Sequence, residues 1–203
     1  MFDTDTFAAI ISMAGHAGIE AAALLAVAEV ESGVRALFDI NGKKEPAIRF
    51  EGHYFDRRLS GRIRDQARQA GLSAPDAGRI RNPKTQRERW LLLERAMSIH
   101  KKAALESTSW GLGQVMGAHW NWLGYQNVDE LVAEARSDVA GQVRLMLRFI
   151  EKAGLHETLR ARDWRTFARR YNGPAFARNQ YDSRMASAFE RWNRSLSHML
   201  QAA

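Results

Sequence analysis

The amino-acid sequence predicts a mainly α protein of the α+β class that carries one small region of β structure. Apolar residues recur at intervals of three and four along most of the 203-residue chain, which is the period of an amphipathic helix. That period fails between about residues 33 and 56, where glycine, an Asn-Gly pair and proline interrupt short apolar runs. With 45% hydrophobic residues the chain can bury a sizeable core, so we expect residues 1–203 to form a single domain.

Two helices are predicted at the start of the chain, over residues 7–13 and 19–31. Two glycines separate them. Asp5 or Thr6 is expected to cap the first helix, because a short polar side chain at that position can accept a hydrogen bond from a free backbone N–H.

The interrupted stretch at residues 33–56 is predicted to form a small β-hairpin or a three-stranded sheet. Asn41-Gly42 is a strong hairpin signal, because both residues tolerate the positive φ of a tight two-residue turn. The run at residues 47–50 is a candidate strand.

Helical periodicity returns after a basic, glycine-punctuated stretch at residues 57–83, which we expect to hold a short helix and a surface loop. Further helices are predicted at residues 85–106, 128–134, 138–152, 164–171 and 182–200. The last helix carries a stripe that predicts core packing, formed by Met185, Phe189, Trp192, Leu196 and Met199.

The charge balance points to a polyanionic partner. Thirty Lys and Arg against 23 Asp and Glu give a formal net charge of +7. Such a surface attracts nucleic acid, an anionic membrane or a cell wall that carries carboxylates. The chain has no cysteine, which excludes a disulfide framework, and no apolar run long enough to span a bilayer. The six histidines show no ligand spacing, so we predict no metal and no cofactor.

Glu31, at the end of the second predicted helix, is the strongest catalytic candidate. Val27 and Ala28 precede it by four and three residues, so Glu31 continues the buried stripe while Glu29 points away from it. A carboxyl group against apolar surface holds its proton to higher pH, as a general acid must near neutrality. The alternative is that Glu31 caps the helix end or pairs with Arg35.

Four ordered motifs give the chain a specific resemblance over about residues 19–191. They are Val30-Glu31-Ser32-Gly33, Phe50-Glu51-Gly52-His53, the segment 107–116 with its Ser-Trp-Gly-Leu-Gly-Gln core, and Tyr171-Asn172-Gly173-Pro174. With these motifs the chain resembles the N-acetylmuramidase family of phage endolysins and bacterial cell-wall hydrolases. That family belongs to the lysozyme superfamily, together with goose-type lysozymes and soluble lytic transglycosylases.

This resemblance implies a lysozyme-like helical fold in which two lobes flank a cleft and a small sheet follows the catalytic helix. It also implies cleavage of the β-1,4 bond between N-acetylmuramic acid and N-acetylglucosamine, the lysozyme reaction (EC 3.2.1.17), with Glu31 protonating the bridging oxygen. The expected partner is the peptidoglycan glycan strand, bound by a monomer, with no nucleic acid and no membrane span.

The second carboxylate is left open between Glu51 and Asp39. Glu51 lies within the matched Phe-Glu-x-His segment, and Asp39 lies near the position where relatives carry an acid in the hairpin. The alternative for Glu51 is a salt bridge to Arg49 or another arginine. A transglycosylase, which needs no second carboxylate, stays a candidate.

The remaining motif residues are expected in the cleft. By resemblance, Tyr171 would place its hydroxyl near Glu31, and Asn172 would bond substrate or hold the helix end. Gly111, with Gly113, would let the backbone approach the sugar. Polar side chains that could bond the acetamido groups or the loop itself are Ser109 and Gln114, and a candidate for sugar stacking is one of Trp110, Trp120 and Trp122.

Three alternatives concern role and location. A basic nucleic-acid-binding helical protein would explain the arginine clusters at residues 57–68 and 160–170, although no helix-turn-helix is evident. A wall-remodelling muramidase that serves a secretion machine would use the same fold. Because the first residues lack a basic leader segment, we expect the protein to stay in the cytoplasm until it is released to the periplasm and cell wall.

Overall fold

Helices make up most of residues 1–201, the part of the chain that the computed structural model describes. The ten α-helices in that part are α1 Thr4–His16, α2 Ala21–Ser32, α3 Gly52–Arg58, α4 Gly61–Gln69, α5 Gln86–Glu106, α6 Val128–Ser137, α7 Val139–Lys152, α8 His156–Arg160, α9 Trp164–Asn172 and α10 Tyr181–Gln201. The strands are β1 Leu37–Ile40, β2 Lys43–Pro46, β3 Ile48–Phe50, β4 Thr108–Trp110 and β5 Val115–Met116. This α+β architecture confirms the predicted class. No helix among the described residues is both long and apolar enough to cross a membrane.

Capping side chains set the starts of several helices, among them α1 and α5. The predicted N-cap of α1 was wrong by two or three residues: Asp3 is the cap, and its side chain accepts a hydrogen bond of 2.8 Å from the Thr6 backbone N–H. At α5, Thr85 and Glu88 form a reciprocal capping box, in agreement with the predicted start of that helix.

The core is built around α2, which is apolar on all sides. Its residues from Ala22 to Ala28 are fully buried, as expected of a helix covered on every face. α10 lies along α2 and buries Met185, Phe189 and Trp192 of the predicted stripe. The stripe ends earlier than predicted, because Met199 is 45% exposed.

The predicted hairpin is present, while the three-stranded sheet is assembled differently from the prediction. β1 and β2 pair antiparallel around Asn41-Gly42, whose φ values of 53° and 79° are those of the expected tight turn. β3 instead joins a second sheet in the order β3-β4-β5. Residues 108–116, expected to follow a helix as a loop, therefore supply two strands.

The segment expected to be a surface loop before α5 is partly buried, and it completes the edge of the second sheet. Asn82 accepts a hydrogen bond of 3.0 Å from the Phe50 N–H and donates one of 2.7 Å to the Phe50 carbonyl. Leu72 and Ser73, which belong to this segment, are buried. One short helix was predicted within residues 57–83, and α4 is that helix. Most of α3 instead lies in residues 52–56, which were predicted to belong to the β region, and the short α8 was not predicted.

Candidate active site

A cavity of about 270 Å³ lies where the ends of α2 and α9 meet the sheet β3-β4-β5 and the start of α10. Its lining consists of Glu31, Arg49, Glu51, Ser109, Gln114, Met116, Tyr171, Asn172, Asn179 and Tyr181. This cleft brings together most of the side chains predicted from the motifs. A larger groove of about 500 Å³, beside the β1-β2 hairpin, contains none of them.

Glu31 points into the cleft from the last turn of α2. Gly33 ends that helix with a φ of 82°, a conformation that favours glycine. The side-chain N–H of Asn172 donates a hydrogen bond of 2.6 Å to Oε1 of Glu31. The alternative pairing with Arg35 is not formed, since the Arg35 guanidinium donates to the carbonyl of Leu37 at 3.0 Å.

The environment of Glu31 raises the pKa of its carboxyl group to about 7. Burial is the largest cause, because the surrounding protein replaces water that would solvate the charge. The hydrogen bond from Asn172 and the charges of Arg184 and Arg49 lower the pKa and offset part of this effect. Glu31 is therefore able to hold a proton near neutral pH and to release it.

Of the two polar side-chain atoms of Asn172, the nitrogen makes a hydrogen bond and the oxygen makes none with a described residue. Its N–H₂ group binds Glu31, whereas its carbonyl Oδ1 is buried and has no hydrogen-bond partner among the described residues. Asn172 ends α9, and Gly173 follows it with a φ of 83°. A buried, unpaired acceptor beside the candidate acid can receive a hydrogen bond from a bound ligand.

Tyr171 is held in place by one hydrogen bond and two aromatic contacts. Its hydroxyl donates a hydrogen bond of 2.7 Å to the carbonyl of Gly113, and its ring stacks on Phe167 at 5.1 Å and meets Phe149 edge-on at 4.9 Å. Burial and the nearby charge of Glu31 raise the pKa of Tyr171 well above its ordinary value. Tyr171 therefore lines the same cleft as Glu31, but its hydroxyl proton is already used in the hydrogen bond to the Gly113 carbonyl.

The Gly-Leu-Gly-Gln loop is held by Gln142 of α7, a residue that the sequence analysis did not single out. Gln142 is 1% exposed; it accepts a hydrogen bond of 3.0 Å from the Leu112 N–H and donates one of 3.2 Å to the Ala36 carbonyl. A Cβ at Gly111 would lie 3.0 Å from the Gln142 side chain, and Gly111 has a φ of 67°. Gly111 therefore makes room for Gln142, which corrects the expectation that it makes room for sugar.

Gly113 is constrained in the same way. A Cβ there would lie 2.7 Å from Cβ of Met146 and 2.9 Å from the Tyr171 hydroxyl. The two glycines allow protein to pack against the back of the loop, and the loop in turn fixes the hydroxyl of Tyr171.

Ser109 and Gln114 line the cleft and are bonded within the sheet and loop. The Gln114 side chain donates to the Gly111 carbonyl at 2.9 Å, and the Ser109 hydroxyl donates to Sδ of Met116 at 3.1 Å. The expected bond to the loop is therefore present at Gln114, while Ser109 bonds to strand β5, and the expected contact of these side chains with acetamido groups stays a prediction.

The two candidates for the second carboxylate differ in position. Glu51 lies in the cleft, where it accepts a hydrogen bond of 2.8 Å from Arg49 Nε, the ion pair expected as its alternative role. Asp39 lies outside the cleft in the hairpin, where it accepts a bond of 3.0 Å from the Gly42 N–H and pairs with Lys44. The structure therefore brings Glu51, and not Asp39, to the same cavity as Glu31.

The three tryptophans near the loop have different environments. Trp110 is in the core, and Trp120 donates to Glu106 at 2.9 Å. Trp122 is 44% exposed and meets Phe149 edge-on at 5.5 Å, so it is the member of the three that offers a free face. No three His, Asp or Glu side chains within residues 1–201 are grouped so that they could hold a metal ion.

Several residues around the cleft were not predicted as site residues. Tyr181 is half-buried, and burial together with the charge of Glu31 raises its pKa. Its place depends on how α10 packs against α2, which no local pattern encodes. The other lining residues without a predicted site role are Arg49, Met116 and Asn179.

The chain is similar to a known protein family and to a solved structure. A family model described as Muramidase, N-acetylmuramidase, matches residues 20–193. The crystal structure of the Burkholderia AP3 phage endolysin is similar to the chain with a TM-score of 0.75 and 33% sequence identity, covering 93% of this chain and 71% of that one. No match is found among curated proteins.

Proposed function

The chain belongs to the N-acetylmuramidase family of cell-wall glycosidases, and we propose that it hydrolyses the β-1,4 bond between N-acetylmuramic acid and N-acetylglucosamine, the lysozyme reaction (EC 3.2.1.17). One observation carries this proposal: a cleft carboxyl group, Glu31, with a pKa of about 7. Glu31 acts as the general acid that protonates the bridging oxygen while the sugar passes through an oxocarbenium-like state.

Asn172 and Tyr171 support Glu31 without donating the proton themselves. The Asn172 amide orients the Glu31 carboxyl group, and its free Oδ1 accepts an N–H from a sugar acetamido group. Tyr171 fixes the Gly113 carbonyl and with it the loop that forms one wall of the cleft.

Glu51 is the group that activates or positions water in this proposal. It shares the cavity with Glu31, and its hydrogen bond with Arg49 holds the carboxylate in place there. Glu51→Gln should lower kcat severely with little effect on wall binding. Asp39→Asn, which changes a carboxylate in the hairpin turn outside the cleft, is the matched control and should keep most of the activity.

The Arg49 ion pair also favours a second candidate, a lytic transglycosylase in which Glu51 only stabilises the structure. Mass spectrometry of digested peptidoglycan separates the two. Reducing-end muramic acid supports the hydrolase, whereas 1,6-anhydromuramic acid supports the transglycosylase. Intact glycan strands after prolonged digestion would contradict both.

The cellular setting that we propose is a phage-type endolysin that waits in the cytoplasm until it reaches the wall as a monomer. Similarity to a phage endolysin supports it. Turbidity loss of permeabilised Gram-negative cells, beside a DNA gel shift at moderate salt, tests this role against a nucleic-acid-binding one. Localised wall cleavage without lysis would favour a secretion-associated muramidase.

A further inference from the structure

A second cavity of about 300 Å³ lies on the other side of the α2 end from the cleft, and nothing in the proposed mechanism uses it. We call it the α10 pocket. It is lined by Glu29, Val30, Gln180, Ser183, Arg184, Ser187 and Arg191.

The α10 pocket and the catalytic cleft share one wall. Val30 lines the pocket and Glu31, the next residue, lines the cleft. The guanidinium of Arg184 lies 5.7 Å from the ring centroid of Tyr181, another cleft residue, and donates to the Val30 carbonyl at 3.4 Å. Arg184 and Tyr181 therefore lie between the two cavities, so the α10 pocket is adjacent to the cleft.

The side chains of the α10 pocket suit a carboxylate. Ser183, Ser187 and Arg191 follow one another at intervals of four residues, so they form one face of α10. Arg191 is already paired with Glu29, but Arg184 is exposed and makes no ion pair with a described residue. The pocket thus offers the unpaired guanidinium of Arg184 and the hydroxyl of Ser187, whereas the Ser183 hydroxyl already donates to the Gln180 carbonyl at 3.2 Å.

The substrate of the proposed reaction carries carboxylates close to the bond that is cleaved. The peptide stem of peptidoglycan is attached to the lactyl group of N-acetylmuramic acid, the same sugar whose bond is cleaved, so it must leave the cleft close to Glu31. We propose that the α10 pocket binds a carboxylate of that peptide stem, with Arg184 as its main partner and Ser187 as a hydrogen-bond donor. This inference rests on the proposed function.

Ser187→Glu tests the proposal, because it places a negative charge in the α10 pocket. Ser197→Glu is the matched control: it makes the same charge change on an exposed residue of the same helix outside the pocket. Arg184 stays intact in both variants because its charge also acts on Glu31. The substrates are soluble glycan strands with acidic stems and the same strands after chemical amidation of the stem carboxylates.

We expect Ser187→Glu to lower kcat/KM on the acidic strands by about tenfold more than Ser197→Glu does, since a like charge in a binding site repels its ligand. On the amidated strands that difference should shrink to about twofold or less, because the repelled charge is gone. Equal losses for the two variants, or an equal loss by Ser187→Glu on both substrates, would overturn the proposal.

A binding measurement keeps the inference separate from the proposed function. In the full-length Glu31→Gln protein, calorimetric titration with an N-acetylglucosaminyl-N-acetylmuramoyl peptide should give tighter binding than the amidated form, and adding Ser187→Glu should remove that preference. If the wild type cleaves none of the strands but the Glu31→Gln protein shows this preference, the proposed reaction is wrong and the pocket assignment stands. If it cleaves them but shows no preference, the pocket assignment is wrong.

Discussion

Asn172 donates a hydrogen bond of 2.6 Å to Glu31, and this contact joins the ends of two helices that lie 141 residues apart in the sequence. It is the link between the candidate acid and the Tyr-Asn-Gly-Pro motif. The bond favours the ionised form of Glu31, whereas burial favours the protonated form, and burial has the larger effect on the pKa.

Glu31→Gln should reduce wall hydrolysis by about 100-fold or more, because the amide keeps the shape of the side chain but has no proton to transfer. Turbidity loss of permeabilised cells measures the effect, and circular dichroism checks the fold. Glu94→Gln, an exposed change on α5, is the control and should have no effect. A folded Glu31→Gln protein with near-wild-type activity would refute the assignment.

The activity of the wild type should fall as pH rises through about 7, because Glu31 is needed in its protonated form and its pKa is about 7. Asn172→Ala removes a hydrogen bond that lowers this pKa, so the alkaline limb of the kcat/KM profile should move to higher pH. Asn179→Ala changes a cleft residue without a bond to Glu31 and should leave the midpoint in place. A limb that moves to lower pH in Asn172→Ala would contradict the role of this contact.

Glu31→Gln should also change how stability depends on pH. Because the folded-state pKa of about 7 exceeds the ordinary glutamate pKa of 4.5, the wild type loses stability as pH rises from about 4.5 through 7, where the folded protein must accept a buried charge. Glutamine avoids this cost. Relative to wild type, the unfolding free energy of Glu31→Gln should rise between pH 4 and pH 8 by about 1–3 kcal/mol, measured by urea denaturation. A constant difference across that range would show that the carboxyl group titrates normally.

Gly113→Ala should destabilise the protein by about 1–3 kcal/mol, because the added methyl group must displace Met146 or the hydroxyl of Tyr171. Gly15→Ala is the opposite case: it lies in the last turn of α1 with no atom within 4 Å of the new Cβ, and it should stabilise the protein by about 0.5–1 kcal/mol. Thermal unfolding of both variants measures the contrast. Equal changes in the unfolding free energy at the two glycines would mean that the loop accommodates the added methyl group without loss of stability.

Activity on whole walls should fall as salt shortens the screening length from about 10 Å at 0.1 M to about 3 Å at 1 M, if the net charge of +7 concentrates the enzyme on an anionic wall. Arg165 and Arg169 are exposed and make no ion pair with a described residue, whereas Arg160 and Arg162 pair with Glu157 and Glu20. Neutralising the first two to glutamine should lower wall activity by about threefold at low salt, more than neutralising the second two.

Short neutral chitooligosaccharides, where they are cleaved, provide the control for this salt effect. Their turnover should respond little to salt or to the arginine changes, because they carry no charge to attract. Equal salt sensitivity on both substrates would place the effect in the active site or the fold.

Sequence reasoning succeeded where the signal is local. The Asn41-Gly42 turn, the start of α5 near residue 85 and the buried side of Glu31 each depend on residues within one or two turns of chain. It failed where partners are distant. Strand β4 forms because β3, some 60 residues earlier, offers it an edge, and the glycine loop is held by Gln142. The role of Gly111 was misjudged for the same reason.

The sequence by itself determined the helical class, the four ordered motifs, the family resemblance and the identity of Glu31 as the candidate acid. Only the tertiary structure decided that Glu51 shares the cavity with Glu31 while Asp39 stays in the hairpin turn, and that Tyr181 and Arg184 border the site. The physical reason is that a local period fixes which side of a helix is buried but not which helix covers it. The pKa of Glu31 depends on which helices cover it, because α9 supplies the amide of Asn172 and α10 supplies the charge of Arg184. Both lower the pKa and offset part of the effect of burial.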